Sequence, residues 1–175
     1  MSGLVIRHML QDDMQQVIRV QADCYQNVEP EDLVVLENKR SQSPGTCWVA
    51  EVDGSVVAYL ICHPWDKYGV PALNAALDIA SKPHDVFYLH DLAVSVRGRG
   101  RGVADTLVNK ALQKARTDAF QYARLVAVQG ARSFWQRYGF ATEPQSAQVL
   151  QEKREQYGDD AFVMGRVVET FPEVY

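Results

Sequence analysis

The 175-residue chain is short of cysteine, of long apolar runs and of basic charge, and each shortage closes off a class of function. Cys24, Cys47 and Cys62 are odd in number, irregularly spaced and form no C-x-x-C pair, which excludes a disulfide framework and the usual zinc spacing. They read as reduced thiols. His8, His63 and His84 make no ligand spacing with a neighbouring cysteine or carboxylate, so no metal site is expected. No apolar stretch is long enough to span a bilayer, and the opening MSGLVIRHML lacks the apolar core of an export signal. The expectation is therefore a cytoplasmic protein without a membrane partner. A formal net charge of −4 disfavours a nucleic-acid partner, and the chain has no G-K-[ST], so it has no P-loop.

What is present is an ordinary globular composition, 47% hydrophobic and 23% charged, long enough for one domain over residues 1–175. Residues 3–9 read as a strand. Residues 11–26 read as a helix, with Met14, Val17, Ile18, Ala22 and Tyr25 on one face and Asp12 and Asp13 in the first turn. A second helix is expected from Pro30 through Leu33 and Leu36 to about Arg40. The runs 45–54 and 55–62 form a hairpin across Asp53-Gly54, the preferred two-residue turn. Residues 63–85 carry three prolines and weak periodicity, and read as a long loop with a short helical turn. In that loop Trp65, Tyr68 and Leu73 are candidates for a substrate wall, with Asp66 and Asp78 as acidic neighbours. A strand over 86–96 leads into a glycine turn and then a helix whose apolar stripe is Val103, Leu107, Val108, Ala111, Leu112 and Ala115. A strand over 124–129 follows, so strand, helix and strand imply a crossover and a parallel pair. A short aromatic helix over 131–138, a strand from Phe140, a polar helix over 145–156 and a strand over 161–169 complete an α/β (α+β) domain. Its sheet is expected to be mixed, mostly antiparallel, of six to seven strands, with about four flanking helices.

The stretch YLHDLAVSVRGRGRGVADTLV, residues 88–108, carries the functional signal. Glycines at 98, 100 and 102 let the backbone approach an anion closely, and the helix that follows aims unpaired N–H groups and its positive dipole end at the same place. Such a turn suits a phosphate or pyrophosphate. The glycine spacing does not fit a dinucleotide-binding fingerprint, and an RG-rich nucleic-acid segment would be longer and not confined between a strand and a helix.

Arg99-x-x-Gly102-x-Ala104, preceded by His90-Asp91-Leu92-Ala93-Val94, resembles motif A of the GCN5-related N-acetyltransferases (GNAT). Phe134-Trp135-Gln136-Arg137-Tyr138-Gly139-Phe140 resembles the F-Y-x-x-x-G-F block of the same family. The strings Leu89-His90-Asp91-Leu92-Ala93-Val94 and Trp65-Asp66 are most similar to the arylalkylamine (serotonin) branch. The resemblance implies a GNAT fold with a splayed parallel pair. It also implies an acetyl-CoA-dependent N-acetyltransferase acting on a primary amine of a small molecule by direct attack in a ternary complex, as a monomer or homodimer. By resemblance, Leu92, Ala93 and Val94 pair with the pantetheine arm, and Arg99, Gly100, Arg101, Gly102, Val103, Ala104 and Asp105 hold the pyrophosphate. Ser133, Phe134 and Trp135 lie against the acetyl end. His90 becomes the candidate base, and Tyr88, on the same strand face by two-residue alternation, a candidate for the water relay. Asp91, on the opposite face by that alternation, is expected to be structural.

The chain departs from the family at Trp135, which stands where the general-acid tyrosine is usual. An indole N–H donates a hydrogen bond but supplies no proton at neutral pH, and Tyr138 is the candidate substitute. Two other functions remain open on the sequence: acetylation of a peptide or protein amine, and acyl-CoA binding without catalysis.

Overall fold

The computed structural model describes residues 3–25, 30–145 and 147–169. A seven-stranded sheet runs in the order β1-β2-β3-β4-β5-β7-β6. The strands are β1 (Leu4–His8), β2 (Cys47–Val52), β3 (Ser55–Trp65), β4 (Val86–Val94), β5 (Tyr122–Ala127), β6 (Ala141–Thr142) and β7 (Phe162–Val167). Only β4 and β5 pair in parallel; the other neighbours are antiparallel. Among the described residues five α-helices flank the sheet: α1 (Met14–Cys24), α2 (Leu33–Gln42), α3 (Val103–Thr117), α4 (Arg132–Gln136) and α5 (Ala147–Tyr157).

The sheet is covered on both faces. On one side α1 and α2 bury Met14, Val17, Val20 and Leu36 against Val49, Tyr59, Ile61 and Ala93. On the other, α3 buries the stripe from Val103 to Ala115 against Leu60, Phe87, Leu89 and Leu125, with Trp135 and Phe140 closing that core. Asp53 and Gly54 both take positive φ, 52° and 78°, as the turn joining β2 to β3 requires.

Several elements depart from the sequence reading. The first helix is preceded by a 3₁₀ turn at Gln11–Asp13, and its expected last residue, Gln26, lies outside the described residues. Pro30 does not open α2, which begins at Leu33; Glu31 is instead held by the Gln21 side chain, which bonds both its N–H and its C=O. Strand β3 runs three residues past the expected Cys62, because His63, Pro64 and Trp65 pair with Tyr88, Phe87 and Val86. The strand expected from Phe140 is reduced to the two residues of β6.

Candidate active site

Two irregularities around β4 create the site. Pairing with β5 is confined to Phe87, Tyr88 and Leu89 opposite Ala123, Arg124 and Leu125, so the two strands part beyond Leu89. Against β3 the register passes from Leu89 opposite Cys62 to Asp91 opposite Ile61, which leaves His90 as the extra residue of a bulge. The bulge resets the alternation. Phe87 and Leu89 face α3 before it, while after it Leu92 and Val94 face α3 and Ala93 faces α1 and α2. His90 and Asp91 consequently emerge together, which corrects the expectation that Asp91 lies on the far face. Both line a cavity of about 420 Å³ that fills the parting of the strands, along with Tyr25, Glu31, Leu73, Leu92, Val94, Val126, Phe134, Trp135 and Tyr157.

Beneath His90 lies a buried polar cluster absent from the sequence reading. Lys39 of α2 is ion-paired with Glu31, the two side chains being 0% and 4% exposed. Lys39 Nζ is 2.8 Å from His90 Nε2, Glu31 Oε1 is 3.3 Å from the same nitrogen, and His63 Nε2 is 3.2 Å from His90 Nδ1. The network fixes the tautomers. The Pro64 carbonyl can only accept, so His63 Nδ1, 2.9 Å away, carries a hydrogen and donates. His63 Nε2 is then a bare acceptor for His90 Nδ1–H, and the remaining lone pair of the pair sits on His90 Nε2, facing Lys39. Burial, reinforced by the neighbouring His90, pushes His63 down to about 3. His90 is lowered too, by burial and then by Lys39. Both rings are therefore neutral at pH 7. Burial would raise Glu31, but its contacts with His90 and Lys39 hold it down to about 2. Its Oε2 has no hydrogen-bond partner among the described residues.

Asp91 is environmentally the opposite of Glu31. Its Oδ1 is 2.6 Å from the Tyr25 hydroxyl and its Oδ2 2.7 Å from the Tyr59 hydroxyl. Burial pushes it up to about 6 despite those two bonds. Two carboxyls in one cavity thus have their proton affinities pushed apart by their environments.

The cavity's other end suits acyl-CoA. Ser95 N–H donates to Val57 C=O, so by ladder alternation Ala93 addresses β3 while Leu92 and Val94 turn their backbones to the open edge. There Tyr25 O–H reaches Leu92 C=O at 2.7 Å and Cys24 Sγ reaches Val94 C=O at 3.2 Å, which leaves the N–H groups of Leu92 and Val94 directed into the cleft. Gly100 and Gly102 take φ of 74° and 70°, and a Cβ on either would meet nothing within 4 Å, so the turn is open to close approach. The first intrahelical bond of α3 is Thr106 N–H to Gly102 C=O, so the N–H groups of Val103, Ala104 and Asp105 have no acceptor within the helix. Arg99 and Ala104 line the cavity beside them. These groups fit a pantetheine arm and a pyrophosphate.

Other sequence candidates lie elsewhere. Tyr88 is 1% exposed and does not line the cavity; its ring lies 5.7 Å from that of His90 and 5.4 Å from that of His63. The ring hydrogen-bonded to His90 is that of His63, supplied by the neighbouring strand. Tyr138 follows the end of α4 and donates its hydroxyl to Asp105 at 3.0 Å, away from the cavity lining. Ser133 is exposed. Phe134 and Trp135 line the cavity, and Trp135, 7% exposed, packs edge-on against Phe134 and Phe140. Of the proposed loop wall only Leu73 reaches the cavity; Tyr68 is 78% exposed and Trp65 packs on His63. Among the described residues no group of His, Cys, Asp and Glu is placed to hold a metal ion, and no helix is long and apolar enough to cross a membrane.

A parallel pair that parts over a glycine turn and a helix N-terminus defines an acyl-CoA-dependent transferase. The family model described as "Acetyltransferase (GNAT) family" matches residues 14–140, and the chain belongs to that family. It is an acetyl-CoA-dependent N-acetyltransferase. Its fold is similar to the loading GNATL domain of CurA from Lyngbya majuscula, at 12% identity over 95% of this chain and 98% of that one, with a TM-score of 0.78. It is also similar to Ard1 from Thermoplasma volcanium, at 18% identity over 95% and 98% of the two chains and a TM-score of 0.71. A third similar structure is Arabidopsis thaliana Naa50 in complex with the bisubstrate analogue CoA-Ac-MVNAL, at 14% identity over 93% and 97% and a TM-score of 0.68. No curated protein sequence matches significantly.

Proposed function

We propose that this acetyltransferase acetylates the primary amine of a small molecule, with arylalkylamines the favoured class, by direct attack in a ternary complex. One observation carries the reading: the cavity of about 420 Å³ is lined by an ionised carboxylate, Glu31, together with the apolar side chains Leu73, Phe134 and Trp135. An ammonium group joined to an aromatic or aliphatic body matches that pairing.

Acetyl-CoA supplies the thioester when bound. Gly100 to Asp105 and Arg99 would hold its pyrophosphate, and the Leu92 and Val94 backbones its pantetheine arm. The Val94 N–H is the candidate oxyanion donor. An alkylammonium has a pKa near ~10.4 and must lose a proton before attack. His90 is the base in this reading. Burial keeps it neutral, its Nε2 lone pair would exchange the Lys39 contact at 2.8 Å for the incoming proton, and Glu31 Oε1 at 3.3 Å is placed to stabilise the imidazolium. With a side chain only 1% exposed, His90 would take the proton through a water rather than directly.

The test is acetyl-CoA turnover against aromatic amines, polyamines, amino acids, aminoglycosides and N-terminal peptides. Turnover of small amines, with His90→Ala lowering kcat more than cofactor affinity, supports the reading. Peptide turnover with every small amine inert would replace it with a protein acetyltransferase. Thermal stabilisation by acetyl-CoA with no acceptor at all would replace it with a binding module.

A further inference from the structure

The family's acid position is occupied by Trp135, whose indole cannot give up a proton at neutral pH, so a proton for the leaving thiolate must come from elsewhere. The hydrogen count around Tyr25 points to a source. Tyr25 Oη lies 2.6 Å from Asp91 Oδ1 and 2.7 Å from Leu92 O. Each distance is that of an O–H···O bond and too short for two bare oxygens. A phenol carries one hydrogen, and the Leu92 carbonyl carries none. With Asp91 ionised, one of the two contacts would lack its hydrogen. Both are satisfied when the carboxyl is protonated: Asp91 Oδ1–H donates to Tyr25 Oη, and Tyr25 O–H donates to Leu92 C=O. Tyr59 then donates to Asp91 Oδ2 at 2.7 Å, completing the set.

We propose that Tyr25 is the general acid of this acetyltransferase and Asp91 the carboxylic acid that reprotonates it. The proposal rests on the acetyl-transfer reading above. Tyr25, Asp91 and Leu92 all line the cavity, and Leu92 lies on the open strand edge assigned to the pantetheine arm. As the amine nitrogen forms its bond to the acetyl carbon, the C–S bond breaks and its electron pair stays on sulfur. The Tyr25 hydroxyl proton passes to that sulfur, and the Asp91 proton passes to Tyr25 Oη. Asp91, left as a carboxylate, recovers a proton from the one the attacking nitrogen sheds, so amide and free thiol are formed with no net consumption at the pair. A carboxyl pushed up to about 6 by burial is well matched to giving and regaining a proton near neutrality. Among the described residues the groups that act on Asp91 are Tyr25 and Cys24 from the end of α1, Tyr59 from β3, Glu31, Lys39 from α2 and Tyr157 from α5. Of these Lys39 alone is a cation, and it is already ion-paired with Glu31.

The test uses the full chain with Asp91→Asn and Tyr25→Phe. Asparagine keeps the geometry, since its amide can donate to Tyr25, but it carries no transferable proton. Infrared difference spectra of wild type minus Asp91→Asn, taken across pH 4–8 without acceptor, read the carboxyl directly. A protonated-carboxyl band that disappears near pH 6 is expected. With a reactive amine, both variants should lose about 10²-fold in kcat, the lower range for a lost acid. The KM for acetyl-CoA and the thermal shift it induces should stay close to wild type, and the fall in kcat as pH rises through about 6, the mark of an acid that must be protonated, should vanish in Asp91→Asn. A carboxyl that titrates with ordinary aspartates, or an Asp91→Asn enzyme with wild-type kcat and pH profile, overturns the proposal. A band at pH 6 in a protein that acetylates no amine would refute the acetyl-transfer reading and leave the proton-sharing pair standing.

Discussion

Removing the Lys39 ammonium, as in Lys39→Met, should be among the most damaging single changes this fold can take, and a second change should repair it. Lys39 is wholly buried, and its partner Glu31 is 4% exposed with one oxygen already unpartnered. Methionine fills nearly the same volume but leaves the carboxylate uncompensated in a dry site. Breaking one half of such a pair costs about 3–5 kcal/mol. For a chain of this size each kcal/mol moves Tm by about 2–4 °C, so a fall on the order of 10 °C is expected. The double variant Lys39→Met/Glu31→Gln removes both charges and should recover most of the loss, giving a coupling energy of about 2 kcal/mol or more in a double-mutant cycle. The pH dependence should change sign as well. In the wild type Glu31 is held at about 2, below its unfolded value, so its contribution is present above about 4.5 and lost as pH falls towards 2. In Lys39→Met burial dominates and raises the carboxyl above its unfolded value, so the deficit shrinks on acidification. Urea unfolding at pH 7, 5 and 3 measures both effects. A single variant within about 1 kcal/mol of wild type, or a double variant no better than the single, would refute the view of this cluster as a compensated charge pair.

Other expectations follow from the same geometry. His63 is held at about 3 against 6.5 when unfolded, so the unfolded state binds the extra proton and stability is lost as pH falls between those values. The loss between pH 6.5 and 4 is about 3 kcal/mol, read as the difference in acid sensitivity between wild type and His63→Gln so that the opposing contribution of Asp91 cancels. Gly102→Ala forces a Cβ into φ of 70° and should cost about 1–2 kcal/mol, with a smaller acetyl-CoA-induced thermal shift. Tyr138→Phe removes a hydroxyl that bonds Asp105 outside the cavity, so stability should move by no more than about 0.5 kcal/mol and kcat should not change. A large kcat loss in Tyr138→Phe would instead return the acid role to that residue.

The parts of the fold legible in the sequence were those written in local pattern. Asp53-Gly54 announced the hairpin, the Val103-to-Ala115 stripe announced α3, and a strand, helix and strand in succession announced the parallel pair. Much of the site was written in register, which periodicity cannot report. Alternation placed Asp91 opposite His90, and the bulge that brings them together leaves no mark on residue types. Lys39 and Glu31 carry no local signal, because nothing in the sequence says that a lysine on a helix of low amphipathicity points inward; only its meeting with Glu31 and His90 makes burial tolerable. His63 was assigned to a loop because Pro64 follows it, and a proline in a strand is normally a demotion. Its carbonyl is nonetheless what orients the His63 ring.

The single unpaired residue in β4 has a consequence for how this enzyme can vary. Side chains of the strand other than His90 and Asp91 can be exchanged one at a time, but its length between Leu89 and Leu92 cannot change. Deleting one position there would slip one half of the strand relative to the other, turning either Phe87 and Leu89 away from the α3 core or Leu92 and Val94 away from the cleft. Homologous strands should therefore keep gaps out of the bulge, so the spacing is as strict a signature of this site as the His90 and Asp91 side chains it presents.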